Sequence, residues 1–381
     1  MRILLITRSY PETGDLYQYP FVHRRVLAYQ ALGHEVAVFR FDPARAAGLH
    51  CYEGVACETG DLARFRAALA RAAPDVVAVH GLSEVLWPAC AAVDPAVAVC
   101  AWLHGSEIPG FFREKVAQIA NPALRQQQEA LLAARLAFWQ NVMARWPANL
   151  RLAFVSAASR ELMRDDLGAL LQDARTAVLH NPIDTDLFAY RPKQANDRLA
   201  VLSIRPYDST SYGNDLAVSA LLALRAKPWF GALRVTLIGD GPLFDTTLAP
   251  LAGISGITIR RGFLNQQDIA AQHGRHGVFL VPTRLDTQGV SRDEAMASGL
   301  VPVTNAVHAV PEFVDATCAG LAAGDDAAGL AQAIADMAEN PALFLARSAA
   351  AAARVRAQSG HDLIIPRELA WMAGAKSGEA V

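Results

Sequence analysis

Short apolar runs and segments of helical spacing alternate along this chain. A run that is almost entirely apolar is typical of a strand buried on both faces of a parallel sheet. In the first half, such runs occupy residues 3–6, 35–41, 75–79, 96–103 and 151–156. Helical patterns at residues 21–32 and 61–73 stand between the earlier runs. This alternation predicts an α/β fold with a doubly wound parallel sheet.

The same alternation starts again after residues 191–198, a polar stretch with the composition of a linker. Its apolar runs are residues 199–204, 235–238, 257–260, 278–281 and 301–304, and residues 215–226 have a helical pattern. We therefore predict two Rossmann-like domains, residues 1–188 and 189–360, which face an interdomain cleft. Ligands of such sheets bind beyond the carboxyl ends of the strands, and Gly14, His80 and His104 all follow strand ends.

A long stretch of helical spacing, residues 111–146, has apolar positions that include Leu124, Leu131 and Trp139. Trp139, Trp146 and the basic residues near them could meet an acceptor or an anionic membrane surface. Packing into the core is the interpretation that the helical spacing favours.

Composition narrows the class of protein. The chain has 381 residues, is 52% hydrophobic and 19% charged, and has a net charge of -2, which argues against broad nucleic-acid binding. Its five cysteines are odd in number and lack zinc-type pairs, so we expect reduced thiols in a cytoplasmic protein. No signal peptide and no apolar run of about 18 residues is evident, so a transmembrane helix is not expected. Peripheral contact with a membrane stays open.

The most informative stretch is residues 281–299, the end of an apolar run followed by a polar turn and a helical segment. Ser291 and Glu294 have the spacing of a capping box. Unpaired backbone N–H groups at a helix start attract anions, and Gly289 would let a phosphate approach them closely. Asp286 and Glu294 bracket the turn and could accept hydrogen bonds from sugar hydroxyls. This predicts a nucleotide-sugar or sugar-phosphate site, although Glu294 could simply cap the helix and Asp286 simply form the turn.

The segment Glu294-Ala295-Met296-Ala297-Ser298-Gly299 resembles the signature of the retaining glycosyltransferase family 4, which has the GT-B fold. Asp286 stands where this family has an earlier Glu. Trp102-Leu103-His104-Gly105 resembles the family strand that ends in His-Gly, and Gly14 stands in its glycine-containing loop. The resemblance covers nearly the whole chain and implies that a C-terminal helix, residues 361–381, returns to the first domain.

The resemblance also implies roles for individual residues. His104 and Asp286 would orient the donor sugar, and Glu294 would bind the ribose. The remaining donor-binding residues would be Gly14 near the diphosphate, Phe263 near the base, and Gln288, Gly289, Val290 and Ser291, whose backbone N–H groups would lie under the phosphates.

Arg205 follows the first strand of the second domain, and its guanidinium would stabilise charge on the departing diphosphate. Family members have a Lys about six positions later, but no Lys occurs here between Arg205 and Lys227. Three alternatives follow: Arg261, Arg284 or Arg292 replaces that Lys, the donor is held differently, or the activity is weak.

The triplet Asp184-Thr185-Asp186 suggests a metal-and-nucleotide motif of the other major glycosyltransferase fold. Its context resembles instead the exit from the first domain of family 4, so we interpret it as structural. No metal and no other cofactor is expected.

By resemblance, the chain is expected to be a cytoplasmic enzyme, with peripheral attachment to the inner membrane face left open. It would move a sugar from a nucleotide diphosphate, with retention, to a glycan or lipid-linked acceptor in cell-envelope polysaccharide or lipopolysaccharide assembly. Two alternatives remain: a GT-B nucleotide-sugar epimerase, and a non-catalytic subunit that binds a nucleotide sugar.

Overall fold

The protein folds into two compact units in the computed structural model, which describes residues 1–16 and 18–377. The first unit is formed by Met1–Pro182 and the described residues after Leu363, and the second by Ile183–Leu363. The part of the expected C-terminal segment beyond residue 377 lies outside the described residues. No helix among the described residues is long and apolar enough to cross a membrane.

The first unit is built on an eight-stranded sheet with the order β3-β4-β2-β1-β5-β6-β7-β8. All neighbouring pairs are parallel except β3 and β4. The predicted strands of the first half are confirmed, as β1, β2, β5, β6 and β7. The strands are β1 (Arg2–Thr7), β2 (Glu35–Phe41), β3 (Gly48–Tyr52), β4 (Val55–Gly60), β5 (Val76–His80), β6 (Ala98–Leu103), β7 (Leu150–Phe154) and β8 (Thr176–Val178).

The antiparallel hairpin of β3 and β4 was missed by the sequence patterns. Glu53 and Gly54 form its turn, with φ of 44° and 81°. Positive φ at both central residues suits a two-residue hairpin, which usually carries Asn-Gly or Asp-Gly. Glu-Gly is a weaker signal, so the turn was not recognised.

The helices that cover the first sheet are α1 (Pro20–Ala31), α2 (Leu62–Ala72), α3 (Trp87–Cys90), α4 (Pro109–Ala117), α5 (Pro122–Ala144) and α6 (Ala157–Leu167). Residues 111–146 are thus two helices, because Pro122 starts α5 and the Asn121 side chain caps it by accepting from Leu124 N. Trp139 is fully buried, as core packing predicts. Leu124 and Leu131 are 45% and 47% exposed, so the predicted apolar face is wrong for the first half of α5.

The second unit is built on a six-stranded, wholly parallel sheet with the order β11-β10-β9-β12-β13-β14. Its strands are β9 (Ala200–Ile204), β10 (Arg234–Gly239), β11 (Ile257–Arg261), β12 (Val278–Leu280), β13 (Val301–Asn305) and β14 (Gly320–Ala322). Its helices are α7 (Asn214–Ala223), α8 (Phe244–Leu248), α9 (Gln266–His273), α10 (Val290–Ala297), α11 (Val310–Phe313), α12 (Ala327–Glu339) and α13 (Pro341–Gln358). The five strands predicted for this half are confirmed, and β14 was missed. Because β9 lies beside β12, the residues that follow these strands meet at one edge of the sheet.

The last helix, α14 (His361–Ser377), belongs to the first unit from Ile364 onward. Its apolar side chains Ile365, Trp371 and Met372 pack in the same core as Trp102. Glu368 lies between them, fully buried, and pairs with Arg25 of α1.

Candidate functional site

The loop between β12 and α10 forms the centre of the candidate site in the second unit. α10 begins at Val290 with Gly289 as its N-cap residue, and no side chain caps it. The predicted capping box is therefore wrong, because Ser291 and Glu294 already lie inside the helix. The first helical bond runs from Asp293 N to Gly289 O. The N–H groups of Val290 and Ser291 thus belong to the turn in which a helix has no backbone acceptors of its own.

Gly289 is required by the conformation of this loop. Its φ is 97°, in the region that only glycine enters readily. A Cβ there would lie 3.0 Å from Cζ and Nη1 of Arg292 and 3.2 Å from Oδ2 of Asp286. Gly289 and Ser291 are half-buried, so their backbone remains accessible to a ligand.

A buried ion pair between Arg292 and Asp293 holds the loop in place. Arg292 Nε and Nη2 donate to Asp293 Oδ1 at 3.0 and 2.7 Å, and Nη2 also donates to the carbonyl of Gln288. Gln288 Nε2 donates to Asp293 Oδ2 at 3.2 Å. Burial raises the pKa of Asp293, and the guanidinium of Arg292 opposes this change. The side chain of Gln288 is therefore part of the support of the loop.

The two predicted carboxylates have different surroundings. Asp286 Oδ1 accepts from Gln288 N at 3.1 Å, so this side chain does form the turn, as the alternative interpretation held. Glu294 does not cap α10. Its Oε1 accepts from Nε2 of Gln266 at 3.4 Å, and Gln266 lies in the first turn of α9. Gln266 was missed because nothing in its local sequence marks it.

Arg205 lies beside the start of this loop. It is 6% exposed, and its Nη2 donates to the carbonyl oxygens of Pro282 at 3.1 Å and Tyr212 at 3.4 Å. Its Nε is buried and makes no hydrogen bond within the described part of the chain. The structure thus places a cation with an unused donor at the edge where the loop begins.

The three arginines that could replace the missing Lys are all paired with carboxylates. Arg284 donates through Nη1 and Nη2 to both oxygens of Asp215 at 2.8 and 2.7 Å, and it also pairs with Asp325, so its pKa is raised. Arg292 pairs with Asp293, as described above.

Arg261 lies on the surface, paired with Asp240 and Asp245. Phe263, two residues further along the chain, is 38% exposed and so does not belong to the core.

In the first unit, His104 follows β6 and remains half-buried. Its Nε2 lies 3.1 Å from Nδ1 of His80, the last residue of β5. The buried carboxylate of Glu107 accepts from the backbone N–H groups of His104 at 3.1 Å and Gly105 at 2.9 Å. Burial raises the pKa of Glu107, opposed by these hydrogen bonds. Glu107 was missed, although a carboxylate that follows a loop glycine is a signal for such a turn.

Gly14 lies in an exposed turn of the first unit, closed by backbone bonds between Glu12 and Asp15. A Cβ at Gly14 would meet nothing within 4 Å. Within this unit, neither packing nor φ therefore demands glycine at this position.

Asp184, Asp186 and His361 each offer a ligand atom, within 4.8 Å of one another, among the described residues. Thr185 N donates to His361 Nδ1 at 3.0 Å, so a neutral His361 carries its proton on Nε2. That nitrogen lies 3.0 Å from Asp362 Oδ1 and 3.5 Å from Asp186 Oδ2. The protonated nitrogen has no lone pair for a metal, which supports the structural interpretation of the triplet.

The two doubly wound units are those of the GT-B fold, and in the second an uncapped helix start follows a strand. A family model described as "Glycosyl transferases group 1" matches residues 201–340, which lie within the second unit. This part of the chain is thus similar to group 1 glycosyl transferases, in agreement with the sequence resemblance to family 4.

One relative is the MMP alpha-(1->4)-mannosyltransferase of Mycolicibacterium hassiacum, 25% identical over 240 residues. The match covers 59% of this chain and 57% of the relative, a little over half of each.

Solved structures share the fold along nearly the whole chain. Sucrose-phosphate synthase of Thermosynechococcus elongatus has a TM-score of 0.76 at 15% identity. The superposition covers 100% of this chain and 100% of the synthase. The Anabaena protein HepE, solved with UDP and glucose, has a TM-score of 0.71 at 14% identity, with 98% of this chain and 99% of HepE covered. WaaG, a glycosyltransferase involved in lipopolysaccharide biosynthesis, has a TM-score of 0.70 at 15% identity, with 98% and 100% covered.

Proposed function

We propose that this protein transfers a sugar from a nucleotide diphosphate to an acceptor hydroxyl, with retention of configuration. The observation that carries the proposal is the start of α10, where Gly289 leaves the N–H groups of Val290 and Ser291 accessible. The positive end of the α10 helix dipole and these N–H groups would attract the negatively charged diphosphate. They would also stabilise the charge that builds on it as the glycosidic bond breaks. The relatives that bind UDP or transfer mannose support this donor class.

Arg205 supplies the second part of the site. Its buried Nε, which has no partner among the described residues, would donate to the departing phosphate. Such a charge-assisted bond is stronger than a neutral one. Asp286 and His104 would orient the donor sugar, and Glu294 would accept from the ribose hydroxyls. In this scheme the departing phosphate takes the proton of the acceptor hydroxyl on the same face, so neither a metal nor a covalent nucleophile is needed.

We further propose a glycan or lipid-linked acceptor and a role in cell-envelope polysaccharide assembly. The likeness to WaaG supports this pathway only at the level of the fold. The donor and the acceptor therefore have to be identified first.

The experiment has two stages. Thermal unfolding is measured against a panel of UDP, GDP, ADP and dTDP sugars, and at least one is expected to stabilise the chain. A ligand at 100 times its Kd contributes about 2.7 kcal/mol. The stabilising donor is then offered with candidate acceptors, and the anomeric configuration of the product is determined. Stabilisation by none of the donors would count against the proposal.

Arg205→Ala tests the phosphate contact. We expect kcat to fall roughly 100-fold, the range seen when a donor to a developing oxyanion is removed. Arg225→Ala is the matched control, because Arg225 is exposed in the same unit and lies outside the site. Equal activity of both variants would exclude the role of Arg205.

A non-catalytic nucleotide-sugar binder is a second candidate, favoured by one observation. Arg261, Arg284 and Arg292 are all held by carboxylates, so none of the three is available to replace the missing Lys. A nucleotide sugar would raise the thermal stability of such a protein, but the protein would turn over no nucleotide sugar. An epimerase would convert the donor without any acceptor, so product analysis with donor alone separates all three functions.

A further inference from the structure

A glutamine at the start of α9 meets the side chain of Glu294. Gln266 is the first residue of α9, and the Asn265 side chain caps this helix by accepting from Asp268 N at 2.7 Å. Nε2 of Gln266 lies 3.4 Å from Oε1 of Glu294 on α10. The two residues are 7% and 8% exposed, so water competes little with this contact. The capped helix start therefore brings a hydrogen-bond donor to a buried carboxylate.

Apolar packing fixes the start of α9 against α10. Leu264, two residues before α9, lies in one core cluster with Ala295, the neighbour of Glu294 in α10. Ile269 of α9 packs against the same cluster. Because these contacts are apolar, they hold the two helices together without help from the contact between Gln266 and Glu294.

The chemistry of the two groups determines which end of the amide faces α10. An ionised carboxylate can only accept hydrogen bonds, so the NH2 end of Gln266 has to face Glu294. The opposite orientation would place two acceptors against each other with no proton between them. Oε1 of Gln266 consequently points elsewhere, and it is buried and accepts no hydrogen bond within the described part of the chain.

The unused oxygen of Gln266 is a cost to the fold. A buried polar atom without a partner lowers the free energy of unfolding. An apolar side chain of similar size, such as Met, would fill the same space without this cost. Packing therefore does not explain an amide at this position. What the amide supplies and Met cannot is the N–H that meets Glu294.

We propose that Gln266 is a positioning residue that orients the carboxylate of Glu294 toward the ribose of the donor. Its N–H holds Oε1 and so fixes the rotation of the carboxylate, which decides whether that carboxylate can accept from the ribose hydroxyls. Gln266 thereby contributes to the recognition of a ribonucleotide. The inference rests on the proposed function, in which Glu294 accepts from the ribose, and adds the residue that orients this carboxylate.

The test compares nucleoside diphosphates that differ only in the ribose hydroxyls. UDP, GDP and ADP, and their 2′,3′-dideoxy forms, are each titrated against the full-length chain by calorimetry. The ratio of the dideoxy Kd to the ribo Kd measures what the hydroxyls contribute, and it is insensitive to the fraction of folded protein. For the base that binds, we expect a ratio of roughly 10 to 100 in the wild type, as a hydrogen bond to a charged group provides.

Two neighbouring glutamines give a matched comparison. Gln266→Met removes the N–H that meets Glu294, and Gln267→Met is the control, because Gln267 is exposed on the same helix. We expect the ratio to fall at least about 5-fold in Gln266→Met and to stay within about 2-fold of wild type in the control. Gln266→Met should also unfold at or above the wild-type temperature. A lower unfolding temperature with an unchanged ratio would show a structural role only and would overturn the proposal.

Gln266→Asn is a second variant that keeps an amide at this position. It withdraws the N–H from Glu294 by the length of one methylene, so we expect the ratio to fall as it does in Gln266→Met. This variant still decides the question if Gln266→Met fails to fold. A wild-type ratio in Gln266→Asn would exclude the role of the N–H.

Glu294→Ala separates this inference from the proposed function. We expect the ratio to fall to about 1, and the double variant with Gln266→Met to show no further change, because a positioning residue acts through the group that it positions. A wild-type ratio in Glu294→Ala would refute the ribose contact of the proposed function. A collapse of the ratio in Glu294→Ala, with no change in Gln266→Met, would refute the role of Gln266 alone. Binding of none of the three diphosphates would refute both.

Discussion

Two constraints coincide at Gly289, the residue that precedes α10. Its φ of 97° excludes most side chains, and a Cβ there would lie 3.0 Å from the guanidinium of Arg292. The sequence indicated the need for glycine from the expected phosphate alone. The structure adds a second reason, since the buried pair of Arg292 and Asp293 holds the loop at this position.

Gly289→Ala is expected to lower both stability and donor binding. The left-handed conformation costs a residue with a Cβ about 1–2 kcal/mol, and Arg292 must also move. Thermal unfolding and donor titration measure the two effects. Gly231→Ala is the control, because a Cβ there meets nothing within 4 Å and its φ is not positive. A Gly289→Ala variant as stable as the control would show that the loop adapts freely.

At the scale of single elements, α14 is tied to the first unit by a buried ion pair. Arg25 Nε donates to Oε1 and Oε2 of Glu368 at 3.0 and 3.2 Å, and the hydroxyl of Tyr29 donates to Oε2 at 2.5 Å. Arg25 Nη2 donates to Asn181 Oδ1 at 3.0 Å. The C-terminal helix α14 therefore contributes the carboxylate that pairs with the buried guanidinium of Arg25.

Glu368→Ala is expected to destabilise the first unit strongly. It leaves Arg25 buried without its partner, which typically costs about 3–5 kcal/mol. Scanning calorimetry should show a large downward shift of one transition. Arg367→Ala on the exposed side of the same helix should change stability by less than about 0.5 kcal/mol. The double variant Arg25→Met/Glu368→Leu should recover part of the loss, and an equal loss there would point to packing instead of charge.

The elements themselves were predictable to different degrees. Each of β1 and β9 overlaps an uninterrupted apolar run, residues 3–6 and 199–202 respectively, and such a run predicts a buried strand without any information from distant residues. The hairpin of β3 and β4 and the break before Pro122 depend on turn and cap chemistry at one or two residues. Such signals are weaker than periodicity, so these two features were missed.

At the scale of the whole molecule, histidines in both units are buried in the neutral state. Burial lowers the pKa of His23 to about 4 and that of His273 to about 3, and those of His80 and His104 also fall well below normal. These groups bind protons in the unfolded chain at a pH where the folded chain cannot. The contribution of these histidines to the free energy of unfolding is therefore fully present above about pH 6.5. It is lost as the pH falls from about 6.5 toward 4.

His23→Asn is expected to reduce this dependence on pH. Nδ1 of His23 forms a hydrogen bond of 2.6 Å with the hydroxyl of Tyr10, and its Nε2 lies 3.3 Å from Oε2 of Glu53. Its titration accounts for on the order of 3 kcal/mol between pH 6.5 and 4. Calorimetry across this range should show a smaller loss for the variant, with the two curves parallel above pH 7. Parallel curves throughout the range would contradict the burial of a neutral His23.

The sequence by itself determined the two α/β halves, the family resemblance, and the loop from residue 281 to the start of α10. These features are local, because a buried strand or a helix start is encoded by consecutive residues. Only the tertiary structure decided which distant residues support them. Strand order places His80 beside His104 and Arg205 beside Pro282, and packing places Gln266 against Glu294. Partners of this kind come from different strands and helices, so no local pattern in the chain can specify them.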